Sequence, residues 1–471
     1  MRSKPFFKGL SWLLALNLLI KPVWIFFIDR NVQNAIGHEA YGSYFALLNL
    51  SLIFLFIADA GLSNMMNQKL ASENPVSLKQ YGSIKLVMGG MYVLVMITAG
   101  MLTGLKEWTL LLYITGIQLL NSVFVFLRSV VSARQYFTTD AWLSVLDKSL
   151  MILLCGGFLY FPLLFGRISL LLFLQVQLAS TGLAVLAAFM VVTVKQWWQG
   201  GEKENIWLLI RSIAPFALVI LLMSMHNRLD GFLLLRLHAN GSYEAGIYAS
   251  AYRLLDACNM VGYLTAVFLV AFVARHQQQR KEIETVVLNL RHLLLFFGIG
   301  VACFSWQYAG WIQELLYHSD ASYHSEVIQL CLAVLPAYFI MHIYGSVLTA
   351  TLAFRPLLQI ILIAVVINTV LNILLIPAYG ALGCCLAAIA SQYFGAIACC
   401  MVAHKKQDIP GHARSWIMYI LIAFALVAFF YTARQVMLNV WLTLVLAACL
   451  VVATLLTQLA NAKKLFTRLQ S

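Results

Sequence analysis

Charged side chains inside hydrophobic segments are the feature of this chain that could do chemistry. Arg228 and Asp230 lie two residues apart in one apolar segment, and Arg253 and Asp256 lie three apart in the next. An ionised group at mid-bilayer depth costs roughly 2.5–3.5 kcal/mol on insertion scales, so such groups usually face a protein interior or a water-filled cavity. The pattern predicts a polar cavity through which something charged passes.

The two pairs differ in how they can be satisfied. Residues three apart share one face of a helix, so Arg253 can pair with Asp256, and its role is either a structural ion pair or a ligand contact. Residues two apart point in different directions, so Arg228 needs a partner outside its own helix, either a protein acid or an anionic ligand. Arg228 is therefore the stronger candidate for binding an anion.

A third cation, Lys21, lies near the middle of the first apolar segment. It follows Asn17 by four residues on the same helix face, and Pro22 beside it would bend the helix and free a backbone carbonyl. We interpret Lys21 as a cation that lines the cavity, the alternative being a lysine that snorkels to the membrane interface. Lys21, Arg228 and Arg253 are thus the predicted substrate-binding residues.

Further charged residues within the apolar segments are candidates for coupling or gating. Asp59 ends the second apolar segment beside a glycine, where an acid suits a helix end or a gate. Asp147 and Lys148 are neighbours in sequence and are not expected to face each other, which favours pairing across helices. The candidates for coupling or gating are Asp59, Lys148, Asp230 and Asp256.

The elements that hold these residues are predicted to be membrane-spanning helices of an all-α, polytopic protein. Of the 471 residues, 62% are hydrophobic and 10% are charged, whereas a soluble chain carries about 25% charge. Apolar runs of about 20 residues, the length that crosses a hydrocarbon core of roughly 30 Å, recur from end to end. The runs predict about fourteen spans, near 8–31, 39–62, 80–104, 108–133, 140–162, 168–194, 206–236, 243–274, 284–309, 324–349, 354–378, 381–403, 415–434 and 437–459.

Basic residues are distributed unevenly between alternate loops. Of the 31 Lys and Arg residues, 22 fall on the side of the N-terminus, among them Lys85, Arg128 and Arg291, and five fall on the opposite side. The positive-inside rule therefore places both termini in the cytoplasm, with the N-terminal segment as an uncleaved first span. The same rule explains the net charge of +13 without a nucleic-acid partner.

A repeated motif organises the spans into two halves. Gly37–Tyr44 and Gly241–Tyr248 both match G-x4-G-x-Y, at an offset of 204 residues that covers six predicted spans. Because six is even, the two copies run in the same direction, as in transporters whose lobes are related by an axis along the membrane normal. This predicts a six-helix N-terminal lobe at 1–200, a six-helix C-terminal lobe at 201–410, and two additional helices with a cytoplasmic tail at 411–471.

Catalytic motifs are absent from the sequence. It contains no Walker-type phosphate loop, HExxH zinc motif, Gly-rich dinucleotide turn or GxSxG elbow. The nine cysteines are scattered through apolar segments without a CxxC pair, which indicates buried free thiols rather than a disulfide framework. We therefore interpret the chain as a carrier and not an enzyme, with no cofactor and no metal.

Three segments carry a family resemblance: FIADAGLSNMMNQKLA, NRLDGFLLLRLHANGSYEAGIYASAYRLLD and LNILLIPAYGALGCCLAAIASQ. Together they resemble the polysaccharide-repeat flippases (O-antigen, or Wzx-type, translocases) of the multidrug/oligosaccharidyl-lipid/polysaccharide exporter superfamily. The resemblance implies a bacterial inner-membrane protein with two six-helix lobes in a V shape and two further helices. It implies transport of an undecaprenyl-pyrophosphate-linked O-antigen or exopolysaccharide repeat unit across the inner membrane by alternating access.

The resemblance also implies roles and partners. Basic residues in the central cavity of such flippases engage the anionic headgroup, and Lys21, Arg228 and Arg253 match them by placement. The implied partners are the undecaprenyl-pyrophosphate-linked oligosaccharide, the lipid bilayer, a proton or sodium ion, and polysaccharide polymerase and assembly proteins.

Three other functions fit the sequence less well than a flippase does. A cation-coupled multidrug exporter of the same superfamily relies on membrane acids in its first lobe, whereas here Lys21 lies at depth and Asp29 lies at the outer end of the first span. A polymerase or ligase of the pathway would be expected to carry a sizeable periplasmic loop, and the longest external loop, near 308–324, is short. A purely structural scaffold gives no reason for basic residues inside the spans.

Overall fold

Helices are the regular elements of the structure, a computed structural model that describes residues 12–13, 15–17, 19–71, 77–198, 204–319, 321–407 and 413–454. Within these ranges a π-helix lies at Trp24–Asp29. The α-helices are α1 (Arg30–Ile36), α2 (His38–Phe54), α3 (Phe56–Asp59), α4 (Leu62–Ala71), α5 (Leu78–Leu102), α6 (Trp108–Ala133), α7 (Phe137–Tyr160), α8 (Pro162–Phe165), α9 (Leu170–Val194), α10 (Ile206–Leu237), α11 (Gly241–Arg275), α12 (Arg280–Tyr317), α13 (Ser322–Leu332), α14 (Leu335–Ala350), α15 (Phe354–Gln407), α16 (Ala413–Gln435) and α17 (Val440–Thr454). The basic N-terminus before residue 12 and the predicted cytoplasmic tail after residue 454 lie outside the described residues.

Membrane-length helices confirm the predicted fold class. In the described ranges, 11 helices are long and apolar enough to cross a bilayer, and the shorter apolar helix α17 matches the last predicted span. One of the 11, α15, is a hairpin whose two halves are each long enough to cross, and the helix that contains the π-helix matches the first predicted span. The structure is therefore an all-α, polytopic membrane fold with the predicted order of spans.

Helix α15 contains two predicted spans that turn back on each other. It has 54 residues, which at about 1.5 Å per residue is roughly 80 Å of helix, more than twice the thickness of a hydrocarbon core. Gly380, with φ 53° and ψ −127°, is the turning point. A Cβ on Gly383 would lie 2.8 Å from the carbonyl oxygen of Leu375, and Asn368 donates to Ser391 at 3.4 Å. In each pair, one residue precedes Gly380 and the other follows it. The two halves of α15 are therefore antiparallel, and the IPAYGALG segment forms the turn between them.

The chain forms two compact units. Unit 1 comprises Met1–Arg236 and Asn240–Gly246, and unit 2 comprises Leu237–Ala239 and Ile247–Ser471. Nearly all of helix α10 thus belongs to unit 1 together with the helices that precede it, whereas most of α11 belongs to unit 2. The division into lobes at 1–200 and 201–410 stays a prediction from the sequence repeat.

Within unit 1 the first copy of the repeated motif lies directly against residues 241–246, the part of the second copy that belongs to this unit. A Cβ on Gly42 would lie 1.8 Å from the carbonyl oxygen of Ser242, and a Cβ on Gly246 would lie 2.0 Å from that of His38. These contacts are equivalent, because the offset of 204 residues converts one into the other. The motif therefore uses glycine at its second conserved position because only a hydrogen atom fits between the two backbones.

Packing inside each unit fixes the charged residues described below. In unit 1 a buried hydrophobic cluster lies between α4, α5, α6 and α9, and it includes Leu62, Tyr81, Val130, Ala188 and Val192. In unit 2, α12 packs against α14 and α16, and α14 packs against the hairpin α15.

Candidate functional site

Lys21 lies where the N-terminal helix changes its hydrogen-bonding pattern. Pro22 has no backbone N–H, and the π-helix Trp24–Asp29 begins two residues later. Such π-helical turns occur frequently at functional sites, where they reorient the side chains that follow. The helix is tied to α7 by Asn17, whose Nδ2 donates to Ser144 Oγ at 2.8 Å.

The charges that act on Lys21 come from α6 and α7: Arg128, Asp147 and Lys148. Lys148 Nζ lies 3.2 Å from Asp147 Oδ2 and 5.3 Å from the centre of the Trp24 ring. The expectation that these sequence neighbours do not face each other is wrong, because the flexible lysine stem lets its ammonium group return to the adjacent carboxylate. Trp24 itself is buried and gives Lys148 a cation–π contact.

Arg128 is balanced by a buried acid on the neighbouring helix. Its Nε lies 2.8 Å from Asp140 Oδ1, and its guanidinium lies 5.7 Å from the centre of the Phe124 ring. We call Lys21, Arg128, Asp140, Asp147 and Lys148 the Lys21 cluster.

The Lys21 cluster has three cations and two acids. Each acid has an ion pair with a cation other than Lys21. Lys21 is partly buried, and it forms no hydrogen bond or ion pair with another described residue. The cluster therefore has a positive surplus, and it is located at the lysine that the sequence singled out.

Asp59 is held at the end of α3 by an ion pair. It accepts hydrogen bonds from Lys85 and Ser63, and Lys85 is only 4% exposed. Ala60 and Gly61 follow with φ values of 46° and 87°, so the chain leaves the helix directly after the acid. Sequence reasoning missed Lys85, because nothing in the spacing of Asp59 and a lysine 26 residues later indicates that they meet.

Arg228 and Asp230 lie on α10 in unit 1. Asp230 is buried and Arg228 is partly buried. Gly231 beside them is where α10 approaches α2, since a Cβ there would lie 2.7 Å from Asn49 Nδ2. The predicted role of Arg228 in binding an anionic substrate stays a prediction.

Arg253 and Asp256 lie on α11 in unit 2, and both are partly buried. Their spacing places them on one helix face, as the sequence predicts. The structural and the ligand-binding interpretations of Arg253 both remain predictions.

Unit 2 contains a buried arginine that sequence reasoning placed with the loop residues. Arg291 on α12 is 0% exposed; its Nη1 donates to the Tyr344 hydroxyl at 2.9 Å, and its Nε donates to that of Tyr419 at 3.1 Å. Its guanidinium also lies 5.1 Å from the centre of the Trp416 ring, and Tyr419 interacts with His292 at 2.7 Å. We call these five residues the Arg291 cage.

Metal-ligating groups are not brought together in the part of the chain that the structure describes. No group of three or more His, Cys, Asp or Glu side chains there could hold a metal ion. The nine cysteines are all free thiols, and most are buried.

The chain shares its fold with solved structures of membrane transporters. No protein-family model matches the chain, and no curated protein matches its sequence. Among solved structures, the lipid II flippase MurJ in an inward closed conformation matches with a TM-score of 0.70 over 96% of this chain and 99% of that chain, at 13% identity.

Multidrug transporters share the fold as well. An inward-facing multidrug resistance MATE transporter of the MOP superfamily matches with a TM-score of 0.62 over 83% of this chain and 96% of that chain, at 14% identity. A point mutant of the Vibrio cholerae MATE transporter VcmN matches with a TM-score of 0.55 over 86% of this chain and 95% of that chain, at 16% identity. At these identities the likeness shows the fold alone.

Proposed function

We propose that the chain is a flippase of the bacterial inner membrane that moves an undecaprenyl-pyrophosphate-linked oligosaccharide to the periplasmic leaflet by alternating access. The shared fold supports transport of a lipid-linked substrate, because a lipid II flippase matches this chain over nearly the whole length of both proteins. The substrate would be the repeat unit of O-antigen or of an exopolysaccharide, as the sequence resemblance implies.

The observation that carries this proposal is the positive surplus of the Lys21 cluster. A pyrophosphate would balance this surplus, because the two acids of the cluster are already paired with Arg128 and Lys148. An ammonium group is a common phosphate ligand, and its attraction is stronger in a partly buried site than in water because the local dielectric is lower. Lys21 would therefore bind the headgroup, with Lys148 adding to the local positive charge.

The remaining predicted residues take their roles from the same proposal. Arg228 and Arg253 would be further contacts of the anionic headgroup. A proton, a sodium ion or the lipid gradient alone would drive the cycle. Both termini would lie in the cytoplasm, and polysaccharide polymerase and assembly proteins would act downstream. The residues proposed for coupling or gating are Asp59, Lys148, Asp230 and Asp256.

A cation-coupled multidrug exporter is the second candidate. The likeness to MATE transporters favours it, as does a buried acid in the N-terminal helix: Asp29 accepts a hydrogen bond from the Tyr41 hydroxyl at 2.9 Å. The charge surplus beside Lys21 argues against it, since a cationic drug would be repelled there.

Complementation of a strain that lacks its own copy of the gene tests the proposal. We expect Lys21→Ala to lower surface polysaccharide about tenfold, the loss expected for one charge-assisted hydrogen bond, and Lys21→Arg to retain most of it. Lys195→Ala is the control, because it removes a lysine that does not belong to the Lys21 cluster. Lys195 is exposed, and its Nζ lies 5.3 Å from the centre of the Tyr136 ring.

Two results would decide against the flippase. Normal polysaccharide with Lys21→Ala, at equal protein level, would remove the role of the Lys21 cluster. Ethidium resistance that depends on Asp29, together with unchanged polysaccharide, would establish the exporter instead.

A further inference from the structure

Unit 2 has a second polar region, remote in sequence from every predicted site residue. A cavity of about 410 Å³ lies at the C-terminal part of α12, next to the start of α13 and the end of α16. This volume falls in the range of small-molecule sites, roughly 300–1,000 Å³. The lining residues that matter here are Tyr308, Trp311, Ser325, Glu326, Gln329 and Arg434.

A kink in α12 builds the cavity. Tyr308 has non-helical angles, φ −116° and ψ 16°, in the middle of the helix. Gln329 Nε2 on α13 donates to the carbonyl oxygen of Trp306 at 2.9 Å, and Arg434 Nη1 on α16 donates to that of Gln307 at 3.0 Å. Backbone carbonyls beside the kink are thus satisfied by side chains from two other helices, which fixes the three helices around the cavity.

The lining combines aromatic residues with both hydrogen-bond donors and hydrogen-bond acceptors. Gln329, Ser325 and Arg434 supply donors, and Glu326 supplies a carboxylate acceptor from an exposed position. Trp311 lines the cavity and is partly exposed, so its ring is the aromatic surface available to a ligand.

We propose that this cavity binds a carbohydrate. A sugar ring presents hydroxyl groups that donate and accept, and its C–H face can pack on an aromatic ring such as that of Trp311. The lining disfavours the other ligand classes: an acyl chain would meet the charged side chains of Glu326 and Arg434, a free anion would meet Glu326, and a metal ion would find one carboxylate and a guanidinium.

The assignment rests on the proposed function for its biological meaning. The cavity lies at the end of α12 that the predicted topology places outside the cytoplasm, so it would hold the saccharide part of a substrate that has reached the outer side. Sugar binding itself needs neither the lipid nor the pyrophosphate, and it can therefore be measured with soluble sugars.

Saturation-transfer NMR on the purified full-length protein in nanodiscs tests the assignment. The probes are maltose and N,N′-diacetylchitobiose, with inorganic phosphate as an anion for comparison. We expect saturation of the ring protons of at least one sugar, with a signal that falls about fivefold in Glu326→Ala, as for the loss of a hydrogen bond. Glu314→Ala is the control, because Glu314 is an exposed acid on the neighbouring helix α12 and lies outside the cavity lining.

The outcomes separate this inference from the proposed function. No saturation of either sugar, a signal that is equal in Glu326→Ala and wild type, or binding of phosphate alone would overturn the carbohydrate site. Lys21→Ala is expected to keep the full sugar signal, so loss of polysaccharide in that variant and loss of sugar binding in Glu326→Ala report on different sites.

Discussion

The Lys21 cluster of unit 1 and the Arg291 cage of unit 2 both hold cations inside membrane-spanning structure, but they satisfy them differently. Arg291 is fully buried and donates to the hydroxyls of Tyr344 and Tyr419, with the Trp416 ring against its guanidinium. Lys21 is partly buried, and the acids near it are each paired with another cation. The first arrangement fixes a cation in place, whereas the second leaves charge for a ligand.

The chemistry of the two side chains matches this difference. A guanidinium offers several donors in a rigid plane and can be held by hydroxyls and aromatic faces together, which suits a structural role between α12, α14 and α16. An ammonium group on a flexible stem is a point charge that can follow a moving phosphate. We therefore expect substitutions in the cage to affect stability and substitutions in the cluster to affect binding.

The largest effect is expected from Arg291→Ala. The substitution leaves a space between three helices and two tyrosine hydroxyls without their donor, so the free energy of unfolding should fall by about 2–5 kcal/mol. Thermal denaturation of the purified protein in detergent measures it. A midpoint equal to that of wild type would show that the cage does not hold α16 against α12.

A smaller loss of stability is expected from Lys85→Met. Lys85 is nearly buried, while Asp59 is 27% exposed. The Asp59 carboxylate can therefore recover part of its hydration when Lys85 is removed, and we expect the free energy of unfolding to fall by about 1–3 kcal/mol. Adding Asp59→Asn should restore part of the stability, because it removes the unbalanced charge. Additive losses in the double variant would contradict the ion pair.

Asp147→Asn is expected to change how tightly the Lys21 cluster binds its ligand. It removes an acid 3.2 Å from Lys148 and so raises the positive surplus around Lys21. Binding of undecaprenyl pyrophosphate should become about threefold tighter, as for a partly screened charge pair. Weaker binding would mean that Asp147 positions Lys148 for the ligand and does not compete with it.

The smallest effect on stability is expected from Lys21→Ala. Since Lys21 has no ion pair with a described residue, its removal should change the free energy of unfolding by no more than about 0.5 kcal/mol. The same denaturation measurement applies. A loss comparable to that of Arg291→Ala would make Lys21 a structural residue and remove the contrast between the two regions.

The fold could be read from the sequence because the bilayer fixes the length of an apolar run. The run over Phe354–Gln407 divides into two spans at IPAYGALG, and the structure turns there at Gly380. The repeat at Gly37–Tyr44 and Gly241–Tyr248 was visible as well, although only the structure shows that Gly42 and Gly246 let the two copies touch.

The site was predictable only in part. Lys21 stood out because an ammonium group in an apolar run is costly wherever it points. Its environment could not be read, since Arg128 and Asp147 come from helices more than a hundred residues away, and their pairing depends on packing. Arg291 was counted with the loop residues because it follows Arg280 and Lys281 in sequence, although α12 carries it into the interior.

Binding of a pyrophosphate lipid by the Lys21 cluster can be measured by titration. The purified protein in nanodiscs would be titrated with undecaprenyl pyrophosphate for wild type, Lys21→Ala and the control Lys195→Ala. We expect about tenfold weaker binding for Lys21→Ala and a change of less than about twofold for Lys195→Ala. Equal dissociation constants for wild type and Lys21→Ala would contradict this expectation.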